Sequence, residues 1–95
     1  MSETRESVLI TRLVLDVLKP HQPDIVEFSK RLAGVKGVRR VDSSVLEMDA
    51  ETETVKLIID GNDLDVEVIG ETIKALGGAI HSVDATVVEK IERKR

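Results

Sequence analysis

Cysteine, tryptophan and tyrosine are all missing from the 95-residue sequence, and phenylalanine occurs once, as Phe28. Without cysteine there can be no disulfide and no thiolate zinc site, and a reducing, cytoplasmic setting is expected. With one aromatic, the core has to be built from Val, Ile, Leu and Ala, which bury less area per residue than rings do. A single domain of this length already buries a modest share of its surface. Association through a second apolar surface is therefore the expected extra stabiliser. No apolar stretch approaches the roughly 20 residues of a membrane-spanning helix, and residues 1–7 lack the apolar centre of a secretory signal. An excess of positive charge is also missing. Eighteen acidic against fourteen basic residues give a formal charge of −4, which opposes non-specific contact with nucleic acid. The basic run at residues 90–95 is a local exception and reads as a solvated tail.

What is present is a regular alternation of strand and helix signals. Residues 8–19 alternate, with Leu9, Leu13, Leu15 and Val17 on one face and Val8, Ile10, Arg12, Val14, Asp16 and Leu18 on the other. Pro20 and Pro23 end this strand, since neither can donate to a ladder. Asp24 opens a helix marked by Ile25, Phe28 and Leu32, which Gly34 and Gly37 close. Residues 38–49 and 54–60 form two further strands around a short polar connection. The turn at residues 60–63 ends in two good helix caps, Asn62 and Asp63. Val66, Ile69, Ile73 and Leu76 then give the clearest helical spacing, stopped by Gly77 and Gly78. A last strand runs from Ala79 to about Ile91, with Val83, Ala85 and Val87 inward. The order predicts an α+β, ferredoxin-like βαββαβ sandwich, an antiparallel sheet of order 4-1-3-2 with both helices on one face. Residues 8–91 form the single domain, residues 1–7 a flexible N-terminus, and residues 92–95 a basic C-terminal tail.

This layout gathers Lys19, His21 and His81 at one end of the sheet, with Asp49, Glu51 and Glu53 on the nearby hairpin. Lys19, His21 and the start of the first helix could frame a small anionic ligand, and the two histidines with a hairpin carboxylate would suit a transition metal. A plausible register sets Asp16 against Asp84 on the helix-free face, with Lys56 roughly opposite Asp16. Like charges facing each other need an answer: a Lys56 bridge, a shared proton, a partner subunit, or a bound cation such as Ca2+ or Mg2+. A register shifted by one residue would part the two carboxylates. The run from Asp60 to Asp65 superficially resembles a calcium loop but lacks its distal glutamate, and helix capping explains these acids better. Val8, Ile10, Val14, Leu18, Leu46, Met48, Ile58, Ile80 and Val88 would make the helix-free face too apolar for water alone. A homo-oligomer through that face is expected.

Several chemistries of this fold can be set aside. The central strands lack the aromatics on which an RNA-recognition module stacks bases, and a copper chaperone needs paired cysteines. The loop after the first strand, residues 19–23, has no arginine for an acylphosphatase. The outline of an amino-acid-binding ACT domain remains, although Pro23-Asp24-Ile25 stands where that domain carries a glycine. Nothing resembles an activated nucleophile beside Ser43 or Ser44, and no catalytic residue is assigned.

The run Arg12-Leu13-Val14-Leu15-Asp16-Val17-Leu18-Lys19-Pro20-His21-Gln22-Pro23 is distinctive. With Val55-Lys56-Leu57-Ile58-Ile59-Asp60-Gly61 and Gly77-Gly78-Ala79-Ile80-His81-Ser82-Val83-Asp84, it resembles an archaeal family catalogued as domain of unknown function 211. The resemblance implies the ferredoxin-like fold, a tendency to cyclic homo-oligomers and no established activity, and it places Asp16, His21, His81 and Asp84 within the family's motifs. The expected function is a non-enzymatic, ACT-like binding or regulatory module that works as a homo-oligomer. A purely structural or partner-binding oligomer is the second reading, and a metal-dependent enzyme ranks last.

Overall fold

The computed structural model describes residues 4–94, with side chains placed for residues 7–91. The elements run β1 (Thr4–Pro20), α1 (Ile25–Ala33), β2 (Val38–Met48), β3 (Thr52–Gly61), α2 (Val66–Ala75) and β4 (Ala79–Lys94). They form a four-stranded sheet of order β2-β3-β1-β4, antiparallel throughout, which is the expected arrangement. β1 starts at Thr4 and β4 reaches Lys94, so both strands extend into the segments expected to be a flexible N-terminus and a basic tail. Residues 1–3 and Arg95 lie outside the described residues.

Local chemistry sets the helix ends. Asp24 caps α1 by accepting from the Glu27 amide at 2.9 Å, one of the donors left without a partner in a first turn. Asp65, and not Asn62 or Asp63, caps α2, accepting from Glu67 and Val68. The chain first buries Leu64, whose amide donates to the Ile10 carbonyl at 2.9 Å, so the helix begins later than the turn suggests.

Leu13, Leu15 and Val17 of β1 and Val55, Leu57 and Ile59 of β3 lie under the helices with Phe28, Leu32, Ile69 and Ile73. The alternation predicts this part of the core, but bulges alter the rest. Each bulge inserts one extra residue and reverses the facing of the residues beyond it. Thr11 is extra on β1, so Ile10 and Val88, expected on the helix-free face, oppose each other on the helix side, where Ile10 packs on the core. Asp84 and His81 are extra on β4. Ile80 therefore opposes Val17 and packs on the core, while Ala85 and Val87, expected inward, oppose Val14 and Arg12 on the helix-free face. Leu46 is extra on β2, which carries Met48 to the helix side opposite Glu53. The helix-free face consequently carries fewer apolar residues than expected: Val14, Leu18 and Ile58 share it with Arg12, Asp16, Lys56 and Asp60.

β3 pairs with β1 only from Arg12 onward, whereas β4 pairs with it from Thr4. Beyond Ile10 and its partner Val88, residues 4–9 and 89–94 thus leave the body as a two-stranded ribbon. The ribbon gives principal extents of 63 × 22 × 17 Å and a radius of gyration of 15.5 Å, against about 12 Å for a compact chain of this length.

The far end of the sheet closes where Gly61 of β3 passes Gly37. The Asn62 amide donates to the Gly37 carbonyl at 2.9 Å, and a Cβ on Gly61 would collide with that carbonyl and with Leu64. Gly61→Ala should lower stability to urea by about 1–3 kcal/mol, the range for forced overpacking. Gly70→Ala in α2 meets only ordinary contact with Ile80 at 3.7 Å, and should stabilise by about 0.5–1 kcal/mol.

Candidate functional site

Two ionic clusters and a groove hold most of the residues singled out from the sequence. The first cluster sits where β1 ends. Lys19 follows Leu13, Leu15 and Val17 onto the helix side and is fully buried. Its ammonium donates to the Pro20 carbonyl at 2.8 Å and to Glu53 Oε1 at 3.1 Å, and lies 5.8 Å from the centre of the Phe28 ring. Glu53 is its direct cross-strand partner on β3. The other Glu53 oxygen faces His21 Nδ1 at 2.9 Å, and His21 Nε2 faces the carbonyls of Asp49 and Ala50 at 3.0 and 3.1 Å. Both ring nitrogens therefore meet only acceptors, which the doubly protonated imidazolium satisfies. The bond to Glu53, then that to the Ala50 carbonyl, holds the His21 pKa above its ordinary value. The His21 and Lys19 bonds hold Glu53 below its own, against the effect of burial.

This arrangement is a latch. Lys19 is spent on internal acceptors, both Glu53 oxygens are taken, and His21 fastens β1 to the hairpin. Of the three residues expected to gather around a ligand, Lys19 and His21 come together. His81 does not join them; it lies on the other side of the sheet. Glu53, the hub, was legible in the sequence: its spacing from Val55, Leu57 and Ile59 puts it on the core face, as Lys19 is put there by Leu13, Leu15 and Val17.

The second cluster lies at the opposite end, on the helix-free face. Asp60 is buried and receives Arg12 Nε at 2.7 Å and Arg12 Nη2 at 3.3 Å, with Arg40 Nη1 at 3.4 Å. Arg12 holds the Asp60 carboxyl below its ordinary range, more than burial raises it. With Asp60 bound by arginines and Asp65 capping α2, these acids act as counter-ion and cap, the reading preferred over a calcium loop.

The groove lies between the clusters on the helix-free face, encloses 340 Å³, and is lined by Asp16, Val17, Leu18, Thr54 and His81. The expected Asp16–Asp84 confrontation does not form. Asp16 stands opposite Ser82 and Lys56, and the bulge sets Asp84 out of register, where it accepts from Ser82 Oγ at 2.6 Å. Asp16 Oδ1 is buried with no hydrogen-bond partner. Among the described residues no three His, Asp or Glu side chains are grouped so as to hold a metal ion. Among the described residues, too, no helix is long and apolar enough to cross a membrane.

Comparison with known proteins gives a consistent result. Residues 11–94 match the model of the domain of unknown function 211 family, described as "Uncharacterized ArCR". The chain is also 47% identical over 81 residues to "Uncharacterized protein MJ0319" of Methanocaldococcus jannaschii, covering 85% of this chain and 84% of the relative.

The latch makes stability depend on pH in two directions. His21, with its pKa raised from 6.5, contributes stability that is full below that value and is lost as pH rises through the folded-state pKa. Glu53, lowered from 4.5, contributes stability present above that value and lost as pH falls through its folded-state pKa. Urea midpoints of wild type and His21→Asn should therefore differ most between these two ordinary values, and converge as pH rises through the folded-state pKa of His21. A difference that is constant over this range would show that His21 acts by packing alone.

Proposed function

We infer that this chain, which belongs to the domain of unknown function 211 family, is a non-enzymatic binding module that works as a homo-oligomer. The observation that carries this reading is the projecting ribbon. Val8 on the ribbon and Val88 at its root lie on one face with 66% and 50% of their surface exposed, beside a body whose core has a single aromatic. A two-stranded ribbon is marginal in water alone, and an uncovered strand edge invites pairing with another chain. Bulges at His81 and Asp84 disrupt the outer edge of β4 beside the body, which leaves the ribbon as its open part. A second copy is the partner that suits it: each copy contributes the same ribbon and the same partly apolar helix-free face, and repetition of such a contact closes into a ring where the rotation permits.

The use of the charged groups supports the non-enzymatic reading. Lys19, Glu53 and His21 satisfy one another, Arg12, Arg40 and Asp60 do likewise, and neither cluster offers a free base or a nucleophile. A regulatory role of the ACT type is an analogy at the level of fold, supported by two helices on one face that leave the other free for a ligand or a subunit. Light scattering coupled to size exclusion should give a solution mass several times 10.5 kDa. Val8→Asp with Val88→Asp should shift the population toward monomer without unfolding it, because both side chains lie largely in solvent. A monodisperse wild-type monomer at micromolar concentration would overturn this reading.

A further inference from the structure

The groove on the helix-free face is lined by the residue whose carboxylate the fold leaves partly unanswered, Asp16. Asp16 Oδ1 is buried and accepts no hydrogen bond, a deficit that is larger for a charged group than for a neutral one. Its cross-strand neighbours do not supply the donor. Ser82 donates to Asp84 instead, and among the described residues Lys56 forms no ion pair with Asp16. Beside this carboxylate lies a 340 Å³ groove whose walls also carry Thr54, His81 and the apolar side chain of Leu18.

We propose that the groove binds the alkylammonium group of a small primary amine. The ammonium has three donors. The Asp16 carboxylate and the Thr54 hydroxyl are acceptors on the groove wall beside His81, and the alkyl part of the ligand lies along Leu18. The same lining disfavours the alternatives. A calcium ion takes roughly 6–8 oxygen ligands, whereas the groove offers one carboxylate and one hydroxyl. An anion would meet Asp16 with the wrong sign. The proposal rests on the groove and not on self-association; a second copy over the helix-free face would enclose the ligand.

The test is a 1H–15N NMR titration of the full chain with n-butylammonium chloride, with sodium butyrate and calcium chloride as parallel arms at matched ionic strength. Light scattering on the same samples records the oligomeric state, so that failure of the assembly reading is seen separately. Saturable shifts are expected around residues 16–18, 54 and 81, with a dissociation constant on the order of millimolar. Asp16→Asn should weaken binding by about tenfold or more, the loss expected for a charged hydrogen bond, while Asp84→Asn binds as wild type does. Should Asp16→Asn fail to fold, Thr54→Val takes its place, with weaker binding again expected. Shifts that do not saturate, an equal response to butyrate, a saturable calcium response in the groove without one to the ammonium, or unchanged binding by the folded variant would each overturn the proposal.

Discussion

An ammonium group with no contact with solvent, that of Lys19, constrains one whole end of this molecule. Moving such a charge out of water costs several kcal/mol unless a counter-charge and hydrogen bonds replace the lost hydration. Glu53 Oε1, the Pro20 carbonyl and the face of the Phe28 ring take the place of water. The partner has to be in register, because a one-residue slip of β3 would turn Glu53 to the opposite face and leave the ammonium alone. The pairing of β1 with β3 is thereby fixed. His21 extends the constraint by joining the same carboxylate to the carbonyls of the β2–β3 connection, and Phe28 brings α1 onto the ammonium.

The Arg12–Asp60–Arg40 cluster does the corresponding work at the other end, on the other face, linking β1, β3 and β2 through one buried carboxylate. Between the two ionic clusters lies the aliphatic core of Leu13, Leu15, Val17, Leu57 and Ile59. The buried charges of the sheet, Lys19, Glu53 and Asp60, are thus consumed in holding it together. What the body leaves to offer is the Asp16 groove and the ribbon, and for that reason the functional reading is one of binding and assembly.

The element order and the sheet order were legible in the sequence because they rest on strong periodic signals and on the handedness of crossovers. Val66, Ile69 and Ile73 could hardly be anything but one helix face. Facing along the long strands was less legible. Thr11, Leu46, His81 and Asp84 each enter as one extra residue, and nothing in their identity marks a bulge; each carries its neighbours to the other side of the sheet. The expected extent of the apolar helix-free face and the Asp16–Asp84 pair both depended on an unbroken alternation, and both changed for that reason. The site fared similarly. Lys19 and His21 were singled out from their place at the end of β1, but the partner that explains them, Glu53, required reading the core-facing phase of β1 and β3 together. The orphaned oxygen of Asp16 is a consequence of three-dimensional register, and no pattern in the chain announces it.

A double-mutant cycle on Lys19→Met and Glu53→Gln, followed by urea unfolding near neutral pH, tests the central role of the buried pair most directly. Each single change strands or uncouples a buried group and should cost about 3–5 kcal/mol. The double variant should cost less than the sum of the two by about 1–3 kcal/mol, the coupling of residues in direct contact. Additive losses, with no coupling between the two positions, would contradict the account.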